Sequence, residues 1–304
     1  MKEFLKKLPT PICGVMLGVL GLGNLIKDYS LEAHYLCGLI GVIILVLLIL
    51  KILYHPSIIK EELKNPIIAS VSGTFIMSLI ILSGYFAPFT SAALYLWFLS
   101  ILLFILLIIY FTKEFILKLN LDKVFASYYI VYIGIVIASV IAPLFNQHII
   151  GQFIVYFGIF GFIFLLPLTM YRYWKLGNPD PFKPLICINA APFSLILLGY
   201  LKSFSSISFK FVVFMFIFAV IFYIFSVIKF IEYRRLSFYP SYSAFGFPFV
   251  VAALCAKETN SYLIGMGFNI GVLNLLVIME VLIAIFLVIY VLFSYIRFLT
   301  SNEI

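Results

Sequence analysis

Apolar residues in this chain run in long blocks broken by short polar interruptions, and the blocks outlast the 10 to 14 or so residues of an ordinary buried helix. Ten runs stand out, at about 10–27, 34–54, 66–87, 91–112, 124–145, 150–172, 184–201, 209–231, 240–256 and 270–297. A membrane-spanning helix takes about 20 residues. Ten such helices would use about two-thirds of the 304 residues and leave roughly nine per connection. The pattern therefore predicts one all-α integral membrane domain over residues 1–304, with no room for a soluble one. MKEFLKK ahead of the first run resembles the basic start of a signal peptide. No small-residue cleavage site follows, and Pro9, Pro11 and several glycines interrupt the run, so it predicts a retained first helix.

The runs differ in texture. Runs 2, 4, 8 and 10 are almost continuous Leu, Ile, Val and Phe, as in VIILVLLILKIL and VVFMFIFAVIFYIF, whereas the odd-numbered runs are interrupted by Gly, Pro, Ser and Asn. Uniformly apolar helices face lipid; helices with small and polar residues face other helices or a water-filled path. The odd runs begin near 10, 66, 124, 184 and 240, about 56 to 60 residues apart, which reads as one helical hairpin repeated five times. This predicts five inner helices around a central pore inside five outer ones. Two inverted halves of five helices would repeat near 150 residues instead.

Composition agrees with a bilayer: 65% hydrophobic, 11% charged and a mean hydropathy of +1.21, where soluble proteins carry about 25% charged residues. The formal charge of +8 is scattered between apolar runs rather than gathered on one face, so it does not point to nucleic acid. It sorts by side. Lys27, Lys202, Lys210 and Lys257 fall at one set of connections, and the other sixteen Lys and Arg fall at the opposite set. Basic loops mark the cytoplasmic face, so both termini are expected inside a cytoplasmic (inner) membrane.

Reactive constellations are not apparent. His34, His55 and His148 lie in or beside three different loops; Cys13, Cys37, Cys187 and Cys255 fall on four runs without a CxxC; the aspartates form no paired motif. No catalytic residue, metal or cofactor is predicted. Ser70, Thr74 and Ser78 recur at four-residue intervals and either line a wet path or bond back to carbonyls of their own or a neighbouring helix. Gly14, Gly18 and Gly21 share a face that points to close helix packing, with a widened pore as the alternative. Pro192 and Pro248 are expected to kink helices 7 and 9 in their middles, freeing the carbonyls of Ile188 and Ala244. Ser243, Phe247 and Val251 also follow at four-residue spacing. Glu280 is the one carboxylate well inside a run, either a proton site or a structural acid bonded to another helix or subunit.

Several stretches carry a resemblance: LPTPICGVMLGVLGLGNL (Leu8–Leu25), HPSIIKEELKNP (His55–Pro66), YIGIVIAS in run 5, PLICINAAPFSLILLGYL (Pro184–Leu201) and AFGFPFVVAALCA (Ala244–Ala256). In order and spacing they resemble the tellurite-resistance/dicarboxylate transporter family, which includes bacterial TehA and the plant SLAC-type anion channels. The resemblance implies a ten-helix protomer with a five-helix pore, assembled as a homotrimer in the lipid bilayer. It also implies transport of small inorganic or carboxylate anions. A gating phenylalanine is implied in a helix 9 segment similar to AFTFP, which here is Phe247. The expected activity is that of an anion channel or channel-like exporter. The alternative is a proton-coupled C4-dicarboxylate, tellurite or sulfite carrier, with Glu280 as its proton site. A membrane-embedded enzyme or sensor is disfavoured by the lack of a reactive cluster.

Overall fold

Local chemistry sets several helix boundaries in the computed structural model, which describes residues 2–300. The Ser30 hydroxyl accepts from the Ala33 amide at the start of α3 (Leu31–Tyr54), and the Asn65 side chain accepts from the Ile67 amide ahead of α5 (Pro66–Phe86), whose first residue is proline. Both are N-terminal caps for amides that have no partner within the helix. The remaining α-helices are α1 (Lys2–Lys7), α2 (Ile12–Ile26), α4 (Pro56–Glu62), α6 (Ala92–Phe111), α7 (Tyr128–Tyr132), α8 (Ile137–Ile141), α9 (His148–Leu176), α10 (Ala191–Ser203), α11 (Phe209–Tyr233), α12 (Phe247–Gly265) and α13 (Gly271–Thr300). No strand occurs among the described residues.

Seven stretches are long and apolar enough to cross a membrane: Leu31–Tyr54, Pro66–Phe86, Ala92–Ile116, His148–Leu176, Asp180–Ser203, Phe209–Tyr233 and Gly271–Thr300. The other three predicted runs take different forms. Run 10–27 becomes α2, only 15 residues long. Run 124–145 is not one helix but a chain of short pieces: α7, a 3-10 turn at Gly134–Val136, α8 and a second 3-10 turn at Ala142–Phe145. Gly134 and the β-branched residues around it hold helix poorly. The carbonyls along this irregular segment are taken up by neighbours: Trp97 Nε1 donates to Ala138 O at 3.2 Å, and the Ser203 hydroxyl donates to Ser139 O at 2.8 Å. Run 240–256 splits into a 3-10 segment, Pro240–Phe245, and α12, which continues to Gly265.

Burial separates the helices as their texture predicts. In Pro66–Phe86 and Asp180–Ser203, 67% and 83% of the most apolar stretch is buried, against 22 to 39% in the other five long helices. Nearly all of α2 is buried as well. Packing follows a cycle: α2 lies against α5, α5 against α7 and α8, α8 against α10, α10 against α12, and α12 against α2. Each then packs against the helix that follows it, α3, α6, α9, α11 or α13.

The predicted mid-helix kinks need correction. Pro192 and Pro248 do not interrupt α-helices; each is the second residue of one, after a 3-10 segment (Asp180–Ala190 and Pro240–Phe245). A proline there removes an amide that would have no helical partner. The Ile188 carbonyl is not free either, because it accepts from the Ala191 amide. An eleven-residue 3-10 helix is long for its kind, and Pro184 within it removes an amide an α-helix would use.

Candidate functional site

Where the interior segments meet, three cavities follow one another. The first is lined by Thr10, Glu62, Tyr239 and Ser241, among others. It shares Val71, Leu185 and Ser243 with the second, central cavity, to which every interior segment contributes: Gly14 from α2, Thr74 from α5, Tyr129 from α7, Pro192 from α10, and Ser243 and Phe247 from the segments around Gly246. The third cavity takes residues such as Gly21, Asn24, Lys202 and Glu258. Phe247 lines both the central and the third cavity, the one residue to do so. Free volumes run about 230, 50 and 150 Å³, so the central cavity is the tightest of the three.

Phe247 is held there by glycines. A Cβ on Gly21 would come within 3.1 Å of the Phe247 ring, and one on Gly18 within 3.3 Å of the Phe247 amide nitrogen. A Cβ on Gly14 would lie 2.9 Å from Ser243 Cβ. The glycine face of α2 therefore serves close packing against the 240–250 segment, and Phe247 itself is only 5% exposed.

The hydroxyl stripes divide. Thr74 lines the central cavity, but its hydroxyl donates to Val71 O at 2.7 Å and also meets Cys13 Sγ at 3.0 Å. Ser70 and Ser78 do not line that cavity. Ser70 bonds to Ile67 O and Ser127 Oγ, both at 2.8 Å, and Ser78 bonds to Thr74 O at 2.8 Å. Ser243 and Phe247 line the cavity, whereas Val251 does not and is fully buried. The four-residue stripe presumed one continuous α-helix; the switch from 3-10 to α at Gly246 (φ −93°, ψ −92°) changes the turn per residue and breaks it.

That same switch supplies a feature hidden in the sequence pattern. The α-helical parts of two interior segments begin beside the central cavity, with Ala191, Pro192, Phe247 and Pro248 on its lining. Helix N-termini carry partial positive charge. No charged side chain lines the central cavity, so the positive charge on its lining is the partial charge of these backbone ends.

Glu280 lies elsewhere. It is 2% exposed, within electrostatic reach of Tyr223 and Cys255, and lines none of the three cavities. Its Oε2 has no hydrogen-bond partner, so the interhelical bond expected of a structural acid is missing at that oxygen. Glu280→Gln should keep anion flux within about twofold of the parent, because the residue is remote from the constriction. Flux measured against pH checks this: a strongly pH-dependent parent beside a pH-independent variant would place Glu280 in the transport cycle.

The middle of α12 is tied on both sides. Lys257 bonds Asp28 at 2.8 Å and Leu25 O at 3.3 Å, and Lys202 pairs with Glu258 at 2.7 Å. The Lys257 hydrogen bond and charge, aided by Lys27 and Lys202, hold the Asp28 carboxyl below its usual range. A depressed folded value means this pair stabilises the fold above the unfolded carboxyl range, near about pH 4, and stops doing so as pH falls through the folded value. Asp28 is 73% exposed, so Asp28→Asn should reduce stability at pH 7 by less than about 1 kcal/mol. The difference in melting temperature should shrink from pH 7 towards pH 2; an undiminished difference would assign it to packing.

The family model for voltage-dependent anion channels (SLAC1) matches residues 8–296. A search of curated proteins finds no match.

Proposed function

Because the chain belongs to the voltage-dependent anion channel family, and so is a multi-pass membrane protein of an anion-transporting family, we propose that it is a channel or channel-like exporter whose pore is gated by Phe247. The observation that carries this reading is the position of Phe247 as the shared wall between the central and third cavities. An apolar ring at a narrow point can block ions by excluding water. Helix N-termini at the constriction, without any acidic side chain there, favour anions over cations.

The protein acts as one membrane domain. The closed cycle of contacts through α2, α5, α7 and α8, α10 and α12 supports five inner segments around the pore, and the exposed apolar faces of the helices following each support an outer layer of five. The sixteen basic residues at one set of connections support cytoplasmic termini in an inner membrane. Assembly as a homotrimer rests on the resemblance to the tellurite-resistance/dicarboxylate transporters. At the central cavity, attraction by backbone ends rather than by a lysine or arginine gives weak binding and little discrimination among small monovalent anions.

Proteoliposomes exposed in turn to chloride, nitrate, sulfite, malate and tellurite test the reading. Flux that follows the imposed voltage without a proton gradient is expected. Uptake that requires a proton gradient would favour the carrier, and robust potassium conductance would overturn anion selectivity.

A further inference from the structure

The third cavity differs from the other two in holding a cation. Lys202, in the last turn of α10, and Glu258, on α12, both line it and pair at 2.7 Å, with side chains 36% and 31% exposed. Neither is sealed in protein, so the pair faces the space that lies directly beyond Phe247. Lys257, next along α12, does not line this cavity and is occupied by Asp28 and Leu25 O. Three lysines, Lys27, Lys202 and Lys257, act on Asp28 electrostatically, so positive charge is concentrated around this end of the molecule.

We propose that Lys202 is the residue that captures the anion on the far side of the gate, with Glu258 as the counter-ion that the anion displaces. An ammonium has three donor hydrogens, and Glu258 is the ion-pair partner seen for it. The remaining donors are available to a guest. A confined cavity with low-dielectric walls concentrates the field of one charge and raises the local concentration of its counter-ions. With Glu258 in place the pair is nearly neutral at a distance, so it holds an approaching anion weakly and lets it go, as conduction requires. Asn24, on the same lining, carries an amide donor. The other charged side chain facing this path, Glu62 in the first cavity, lies on the opposite side of the constriction and is bonded to Lys51.

This inference rests on the channel reading, and the test separates the two. Chloride and nitrate currents are measured in bilayers with Phe247→Ala as the parent, so that the gate does not limit the rate, at low salt and at about 1 M salt, where the Debye length is about 3 Å. At low salt Lys202→Gln should reduce anion entry from the Lys202 side by about threefold or more, Lys202→Arg should retain it, and Glu258→Gln should raise it by a similar factor. At high salt the differences should largely vanish. If Lys202→Gln does not assemble, Glu258→Gln carries the test, since it leaves the lysine in place. Current in the parent that is unchanged by both Lys202→Gln and Glu258→Gln, or changed equally at low and high salt, would overturn the capture role and leave the channel standing. Absence of anion current in both wild type and Phe247→Ala would overturn both.

Discussion

Anion conductance should rise severalfold when Phe247 is replaced by alanine, the largest functional change expected of any single substitution. The ring forms the shared wall between the central and third cavities, at a point with only about 50 Å³ of free space. Removing it joins the two and lets water through, so the barrier from dewetting falls; each 1.4 kcal/mol or so is tenfold in rate. Phe245, two residues earlier, is the control. It is fully buried and packs on Phe230 and Tyr242 with ring centroids 5.1 Å away in each case. It lines none of the three cavities. Phe245→Ala should therefore reduce stability by about 3 to 5 kcal/mol without raising current. Single-channel or proteoliposome currents at matched protein levels decide the matter: equal currents from wild type and Phe247→Ala would remove Phe247 from the gate. A gain confined to Phe245→Ala would move the gate to another face.

A second large loss of stability is expected at Lys51. It sits in the last turn of α3 with no exposed surface, and its ammonium donates to Leu8 O and Thr10 Oγ1 at 2.9 Å and to both Glu62 carboxylate oxygens at 3.0 Å. One side chain thus ties α3 to α4 and to the linker that leads into α2. Lys51→Met fills similar space but leaves the Glu62 carboxylate without its cation, with the Thr10 hydroxyl as its remaining donor. The loss should be about 3 kcal/mol, the lower end for breaking a buried pair because Glu62 is 25% exposed. Glu62→Gln should cost less, since Lys51 keeps Leu8 O and Thr10. Thermal unfolding in detergent should rank wild type above Glu62→Gln and Glu62→Gln above Lys51→Met. Parity of Lys51→Met with wild type would mean that the network contributes no net stability.

The membrane character and the division into interior and peripheral helices were legible from the chain alone. Residue type records preference for lipid or protein directly: VIILVLLILKIL and VVFMFIFAVIFYIF lie in helices whose most apolar stretches are 33% and 28% buried, while the Pro- and Asn-containing PLICINAAPFSLILLGYL lies in one that is 83% buried. The glycine face of α2 was readable for the same reason, because a missing side chain is a statement about proximity. The Phe247 assignment came through family resemblance, since a chain with 34 phenylalanines does not single out one by composition.

Tertiary structure decided the rest. Whether 240–245 and 180–190 wind as 3-10 or α is a small local difference that neighbouring packing settles, and it determined that Ser243 and Phe247 share a cavity while Val251 does not. It also set the starts of α10 and α12 beside the central cavity, seven residues inside apolar runs that begin near 184 and 240. Lys202 meets Glu258, and Lys51 meets Glu62 and Leu8, only because distant segments fold onto one another. Hydropathy periodicity is a local quantity: it records which face of a segment avoids lipid, and a charge that finds its partner 56 residues away leaves no trace in it.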